Sequence, residues 1–305
     1  MATVILVLLA IFYQPDIPVD ALKTRYALSP SQFTLVHGMS THFRDEGSQT
    51  DSIPLVLLHG TSSSLLTWDA CAKAWKNKHR IVRMDLPGFG LTGPHPNNDY
   101  SIDAYVDFLE KFLRDRNISQ CYLAGNSLGG LIAYTYAARF PFQVKKLILI
   151  DAAGYPIEHA KGSLAFKLGK IPVIKNLLTV ITPSSIVRKS LEDAYGNTSL
   201  VTDALVEQYR DMACREGNRE ALLQRLQTDQ KGDTTIVSQL NQPTLILWGE
   251  QDQLIPVANA YKFQRDVPQD TLVVFSGVGH VPMEERPEQV APVVLHFLNH
   301  FSWTE

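Results

Sequence analysis

Six short stretches of this chain are apolar almost without interruption, and that continuity constrains the fold more than any other feature. They are Pro54-Leu55-Val56-Leu57-Leu58-His59, Arg80 to Met84, Cys121 to Ala124, Val144 to Ile150, Thr244 to Trp248 and Thr271 to Phe275. A strand with one face in water alternates apolar and polar residues. A run without alternation fits a strand covered on both faces, as in a parallel sheet. Between the runs lie stretches with helical character, Leu65 to Trp75, Ile102 to Arg114, Leu128 to Arg139, Val257 to Gln264 and Glu288 to Phe301. Strand and helix signals in alternation predict βαβ units, hence an α/β protein with a mostly parallel sheet flanked by helices. Ahead of them, Phe33 to His37 and Met39 to Phe43 alternate about Gly38 and predict a hairpin. Residues 155–237 carry no strand signal and read as several helices punctuated by Pro172, Pro183 and Gly196. The expected organisation is one core, residues 30–154 and 238–305, interrupted by a helical insertion over 155–237.

Bulk properties narrow the function by exclusion. A chain of 305 residues with 45% hydrophobic and 19% charged residues can bury a large core. Its net charge of -3, with no Lys/Arg block, gives no field for nucleic acid, so no nucleic-acid partner is expected. Cys71, Cys121 and Cys214 have neither disulfide-framework nor zinc-site spacing. The first residues are unusual. Thr3 to Tyr13 (TVILVLLAIFY) is uncharged and apolar, and a spacer rich in breakers follows it. The run is shorter than the roughly 20 residues that span a bilayer. It also lacks a basic leader and a small-residue cleavage site. Residues 1–15 are therefore expected to be a truncated membrane anchor or signal-anchor, which places the protein at a membrane or in a periplasmic or secreted setting. If the segment is not an anchor, a cytoplasmic location follows.

The chemistry is concentrated at Gly125-Asn126-Ser127-Leu128-Gly129, a G-x-S-x-G that ends one apolar run and opens a helix. A sharp strand-to-helix turn lifts a serine hydroxyl clear of the sheet edge, and side chains at the flanking glycines would strike neighbouring backbone. Serine needs a base to become a nucleophile, and the base needs an acid to orient it. Trp248-Gly249-Glu250-Gln251-Asp252 places an acid just past a strand, and Gly277-Val278-Gly279-His280 places an imidazole just past the next. Both positions are strand C-terminal ends, where ligands gather in open α/β sheets. Ser127, Asp252 and His280 are accordingly the expected nucleophile, acid and base. Glu250 and Asp151 are the competing acids, the first readable as a solvated loop charge and the second as a partner of local backbone. Two amides would stabilise an oxyanion, those of Leu128 and Thr61. His59 is expected to brace the loop that carries Thr61, and Asp85 to be structural.

Taken in order, HG at 59–60, DLPGFG at 85–90, GNSLGG at 125–130, WGEQD at 248–252 and GVGH at 277–280 resemble the landmarks of the α/β-hydrolase superfamily. The resemblance covers the chain from about Phe33 to Phe301. It is similar to the capped serine-hydrolase branch, which includes esterases and lipases, some of them membrane-anchored bacterial esterases, and C–C bond hydrolases. Epoxide hydrolases and haloalkane dehalogenases of that branch carry an aspartate nucleophile where this chain has Ser127. The C–C hydrolases share the GNS-x-GG elbow but usually carry a GPG-type sequence after the HG, where this chain has Thr61-Ser62-Ser63-Ser64. The resemblance thus implies hydrolysis of carboxylic esters with short- to medium-chain acyl groups, with C–C cleavage as the alternative. It implies neither metal nor organic cofactor, and makes 155–237 the cap. A non-catalytic binding protein of the same fold is the remaining reading. Arg188, Lys189 and Arg210 are the insertion's candidates for binding a substrate carboxylate and read equally well as surface charges.

Overall fold

The computed structural model describes residues 13–157, 180–228 and 232–300. An eight-stranded sheet runs through it in the order β1-β2-β4-β3-β5-β6-β7-β8. The hairpin is β1 (Ser31–Val36) and β2 (Met39–Glu46). The apolar runs supply β3 (Leu55–Leu58), β4 (Ile81–Met84), β5 (Cys121–Asn126), β6 (Val144–Ile150), β7 (Thr244–Gly249) and β8 (Asp270–Phe275). Strand β2 pairs antiparallel with β1 and β4, and every pairing from β4 through β3 to β8 is parallel.

The lack of alternation in the apolar runs has a direct cause. Val56 and Leu58 point into the core on one face of the sheet, and Leu55 and Leu57 into the core on the other. Leu147 and Leu149 divide from Ile148 and Ile150 in the same way. Successive side chains leave a strand on opposite faces, so a strand sandwiched between helices needs an apolar residue at every position. One face is covered by α3 (Ile102–Asp115), α4 (Leu128–Arg139) and α8 (Ala258–Asp266), which contribute Phe108, Phe112, Ile132, Tyr136 and Phe263. The other is covered by α2 (Asp69–Trp75) and α10 (Pro287–His300), through Trp75, Val290, Val294 and Phe297. Each fully buried Leu, Val or Phe side chain contributes about 1.5–3 kcal/mol from the area taken out of water. Helix α3 begins where Ser101 Oγ accepts the Ala104 amide at 3.2 Å, satisfying one of the orphan donors of its first turn.

Between β6 and β7 the described chain is helical: α5 (Ser184–Ala194), α6 (Asp203–Cys214) and α7 (Asn218–Gln227). The apolar sequence from Leu164 to Ile171 lies outside the described residues. Two short helices had no clear local signal, α1 (Val19–Tyr26) after Pro18 and α9 (Pro282–Glu285) ahead of α10. The residues around α1 lie along the insertion. The Gln14 amide donates to Val180 O at 2.9 Å, and the Ile17 amide to Cys214 O at 2.8 Å. Asp16 pairs with Arg219 at 2.6 Å, and Arg25 pairs with Glu207 and Asp211. The proposed anchor lies almost wholly outside the described residues. Among the described residues no helix is long and apolar enough to cross a membrane.

Candidate active site

The loops after β3, β5, β7 and β8 bring the candidate residues to one end of the sheet. Ser127 follows β5 with φ 54° and ψ −117°, a region costly for a residue with a side chain. The surroundings impose it. The Ser127 amide donates to Ile150 O, and its carbonyl accepts from Gly130 N and Ala153 N, each at 3.0 Å. The turn is too tight for side chains on either flank. A Cβ on Gly125 would stand 2.1 Å from Gly129 O, and one on Gly129 would stand 2.3 Å from Leu58 O. Asn126 ties the serine loop to the histidine loop, because its Nδ2 donates to Ile150 O at 3.2 Å and to His280 O at 3.0 Å.

His280 Nδ1 lies 2.7 Å from Asp252 Oδ2, and both residues are buried. The other carboxylate oxygen of Asp252 accepts the amides of Leu254 at 2.8 Å and Ile255 at 3.0 Å. Three donors therefore hold this carboxylate, and the ring is left with Nε2 as its second nitrogen. Glu250 behaves differently. It is exposed, and bonds from Ser276 Oγ and the Gly277 amide hold its carboxyl below the usual range. Asp151 sits at the end of β6, fully buried, and its Oδ1 accepts the Gly249 amide at 2.9 Å. Asp151, Asp252 and His280 each offer a ligand-type atom within 4.8 Å of the others, the one such group among the described residues. Within it, His280 Nδ1 and Asp252 Oδ2 are already joined by a hydrogen bond.

Thr61 lines the cavity that Ser127 faces, and the Leu128 amide opens α4, where helix geometry leaves amides unpaired. His59 braces this corner. Burial keeps its imidazole below the ordinary value, so it is neutral, donating from Nδ1 to Gly60 O at 2.7 Å and accepting the Leu86 amide at Nε2 at 2.9 Å. Asp85 is also an internal tie. It accepts from His42 Nδ1 at 2.8 Å and from the amides of Leu65 and Leu91, both at 2.7 Å.

Glu285 gave no signal in the sequence. Its buried carboxylate accepts the amides of Gly279 at 2.7 Å, Gly196 at 2.9 Å and Asn197 at 3.1 Å. It thereby joins the histidine loop to the end of α5, where the His280 amide also donates to Ala194 O at 2.6 Å. The neighbouring Glu284 accepts from Thr67 of the core and from Tyr195 and Tyr209 of the insertion. A polar residue five places beyond His280 looks like any surface charge until the chain has folded back.

Ser127 and His280 open on a cavity of about 570 Å³. Its roof comes from the insertion, including Ile186, Leu191, Met212, Leu222 and Leu226, and is overwhelmingly apolar. Arg219 is its one lysine or arginine among the described residues, and the guanidinium is engaged with Asp16 Oδ1 and Gln14 O. Arg188, Lys189 and Arg210 do not line it. They pair with Asp203, Asp193 and Ser184.

A mostly parallel sheet with a strained serine at the turn after β5, and an Asp–His pair in the loops after β7 and β8, defines an α/β-hydrolase-like architecture. The alpha/beta hydrolase family model matches residues 55–293, and the chain belongs to that family. Lipase 1 of Psychrobacter immobilis is 28% identical over 88% of this chain and 84% of its own length. The 2-hydroxy-6-oxo-2,4-heptadienoate hydrolase of Pseudomonas putida is 27% identical over 88% of this chain and 95% of its own. Among solved structures, a membrane phospholipase A described as a bacterial virulence factor superposes with a TM-score of 0.75. It is 26% identical, with 92% of this chain and 90% of that chain covered. The protein is a hydrolase whose relatives include both lipases and C–C bond hydrolases.

Proposed function

We propose that the protein hydrolyses carboxylic esters with apolar acyl groups through a covalent acyl-enzyme. Ser127 Oγ attacks the ester carbonyl while His280 takes its proton, and Asp252 holds the ring in the tautomer that leaves Nε2 free to accept it. The tetrahedral oxyanion accepts the amides of Thr61 and Leu128. His280 returns the proton to the departing alcohol, and water repeats the sequence on the acyl-enzyme. Neither a metal nor an organic cofactor has a step in this scheme.

The observation that carries the ester reading is the cavity wall. Cleavage of a dienol acid requires an anchor for its carboxylate, ordinarily an arginine or lysine free to bind it. Arg219, the one such cation lining the cavity among the described residues, is already paired with Asp16. An ester presents no charge and suits an apolar wall. The helices over 184–227 act as the cap, and a volume of about 570 Å³ lies in the range of small-molecule sites. Acyl chains of about two to eight carbons are the expected substrates. Residues 1–15 are proposed to hold the enzyme at a membrane. The resemblance to a membrane phospholipase supports this, as does the seating of Gln14 and Asp16 on the cap beside the cavity. The test is kcat/KM for nitrophenyl esters from acetate to palmitate beside a meta-cleavage dienoate. An optimum among the short and medium esters is expected. Faster turnover of the dienoate than of every ester would reverse the assignment.

A further inference from the structure

The buried carboxyl at the end of β6 has no part in the scheme above, yet it stands directly beside it. Asp151 is completely enclosed, and as a non-glycine residue at φ 45° it is held in a conformation that its surroundings must enforce. One oxygen accepts the Gly249 amide, and the other, Oδ2, is buried with no donor among the described residues. Asp252, by contrast, receives three donors, Leu254 N, Ile255 N and His280 Nδ1. Oxygens of the two carboxyls and a nitrogen of His280 lie within 4.8 Å of one another.

Two carboxylates enclosed together beside one imidazole do not both ionise, because each desolvated negative charge raises the cost of the other. The three donors on Asp252 stabilise its anion. An ionised Asp151 would have one amide, an unsatisfied oxygen and a like charge for a neighbour. The neutral acid turns each of these defects into a contact: its carbonyl oxygen keeps the Gly249 amide, and its O–H finds the Asp252 carboxylate, which has lone-pair capacity left after three bonds. We propose that Asp151 is a positioning residue that retains its carboxyl proton and donates it in a hydrogen bond to Asp252, fixing the plane in which Asp252 aligns His280. The inference rests on reading Ser127, His280 and Asp252 as the triad. Burial first, and the charge of Asp252 second, push the Asp151 carboxyl well above the usual carboxylate range, and Glu285 adds to the same direction. The proton stays on Asp151 throughout; no transfer to or from it enters the reaction.

Infrared spectroscopy reads the proton directly. At pH 8 the spectrum of wild type minus D151N should contain a protonated carboxylic-acid carbonyl band that shifts in D₂O. Kinetically, D151L removes the donor, and kcat should fall about 10- to 100-fold with KM little changed, the cost of a slightly misplaced base. D151N, whose amide can donate to Asp252 and accept from Gly249, should recover most of that loss. D252N should lose about ten-thousand-fold. The absence of the carbonyl band, a D151N variant as impaired as D252N, or wild-type kcat in D151L would each overturn the proposal. Full activity in D252N would instead overturn the triad reading, and the infrared band would still report whether Asp151 holds its proton.

Discussion

Replacing Glu285 with alanine tests whether one carboxylate joins the turn after α5 to the histidine loop. The side chain accepts three backbone amides, one from the loop of His280 and two from the turn after α5. Hydrogen bonds to an ionised group contribute about 1.5–3 kcal/mol each, and a buried donor left unpaired costs about 1–3 kcal/mol. These amides are neighbours and share one acceptor group, so their contributions do not add in full. The expected destabilisation is about 3–5 kcal/mol, at the upper end for a single substitution. E285Q retains one acceptor oxygen but sets an NH₂ against an amide N–H, so it should fall between alanine and wild type. Urea denaturation followed by tryptophan fluorescence gives the stability change. Activity should suffer as well, because the loop that fixes the His280 ring loses its tie to α5. A displacement of about 1 Å in a base can cost about 100-fold in rate. Activity toward a butyrate ester should therefore fall by one to two orders of magnitude, under conditions where the variant is still folded. An E285A protein with wild-type stability and rate would refute the argument.

Three further outcomes are expected. S127A should lose several orders of magnitude in kcat while retaining its fold by circular dichroism, and a serine-directed phosphonate should label wild type at Ser127 alone; retention of more than a few per cent of activity would exclude the covalent scheme. Burial raises the Glu284 carboxyl above its ordinary value despite its hydroxyl donors, so the stability it contributes is present at low pH and lost as pH rises from about 4.5 through the raised value. E284Q should accordingly gain stability relative to wild type between pH 5 and pH 8, and a difference constant with pH would contradict this. Deleting residues 1–12 while keeping Gln14 and Asp16 should leave ester turnover per active site unchanged and reduce partitioning into detergent micelles or vesicles; unfolding on deletion would show that the segment is part of the core.

Much of the architecture is local information and was therefore legible in the sequence. A strand covered on both faces must be apolar at each position, so β3 and β5 to β7 announce themselves wherever they lie in the chain. The turn at Ser127 is local in part: a Cβ on Gly125 would strike Gly129 and Gly130 a few residues on, whereas Gly129 is kept bare by Leu58 and His59 at the end of the neighbouring strand. The order of Ser127, Asp252 and His280 follows from which strand ends carry them. What order does not give is lateral distance. Glu250 and Asp252 are two residues apart, yet one is exposed against Ser276 and the other is buried against His280 Nδ1. Asp151, about a hundred residues earlier, reaches the same buried volume because β6 lies beside β7 in the sheet. Neither the run of residues 13–27 along the helices between β6 and β7 nor the amides gathered by Glu285 has a periodic signature, since each depends on segments far apart in sequence meeting after the sheet has formed. The sequence by itself determined most of the strands, the glycine pattern of the serine turn and the order of the candidate residues, since hydrophobic periodicity and turn sterics act largely within a few residues. The tertiary structure alone decided which carboxylate faces the histidine, what closes the cavity and which charges are already paired, since those depend on contacts between distant segments.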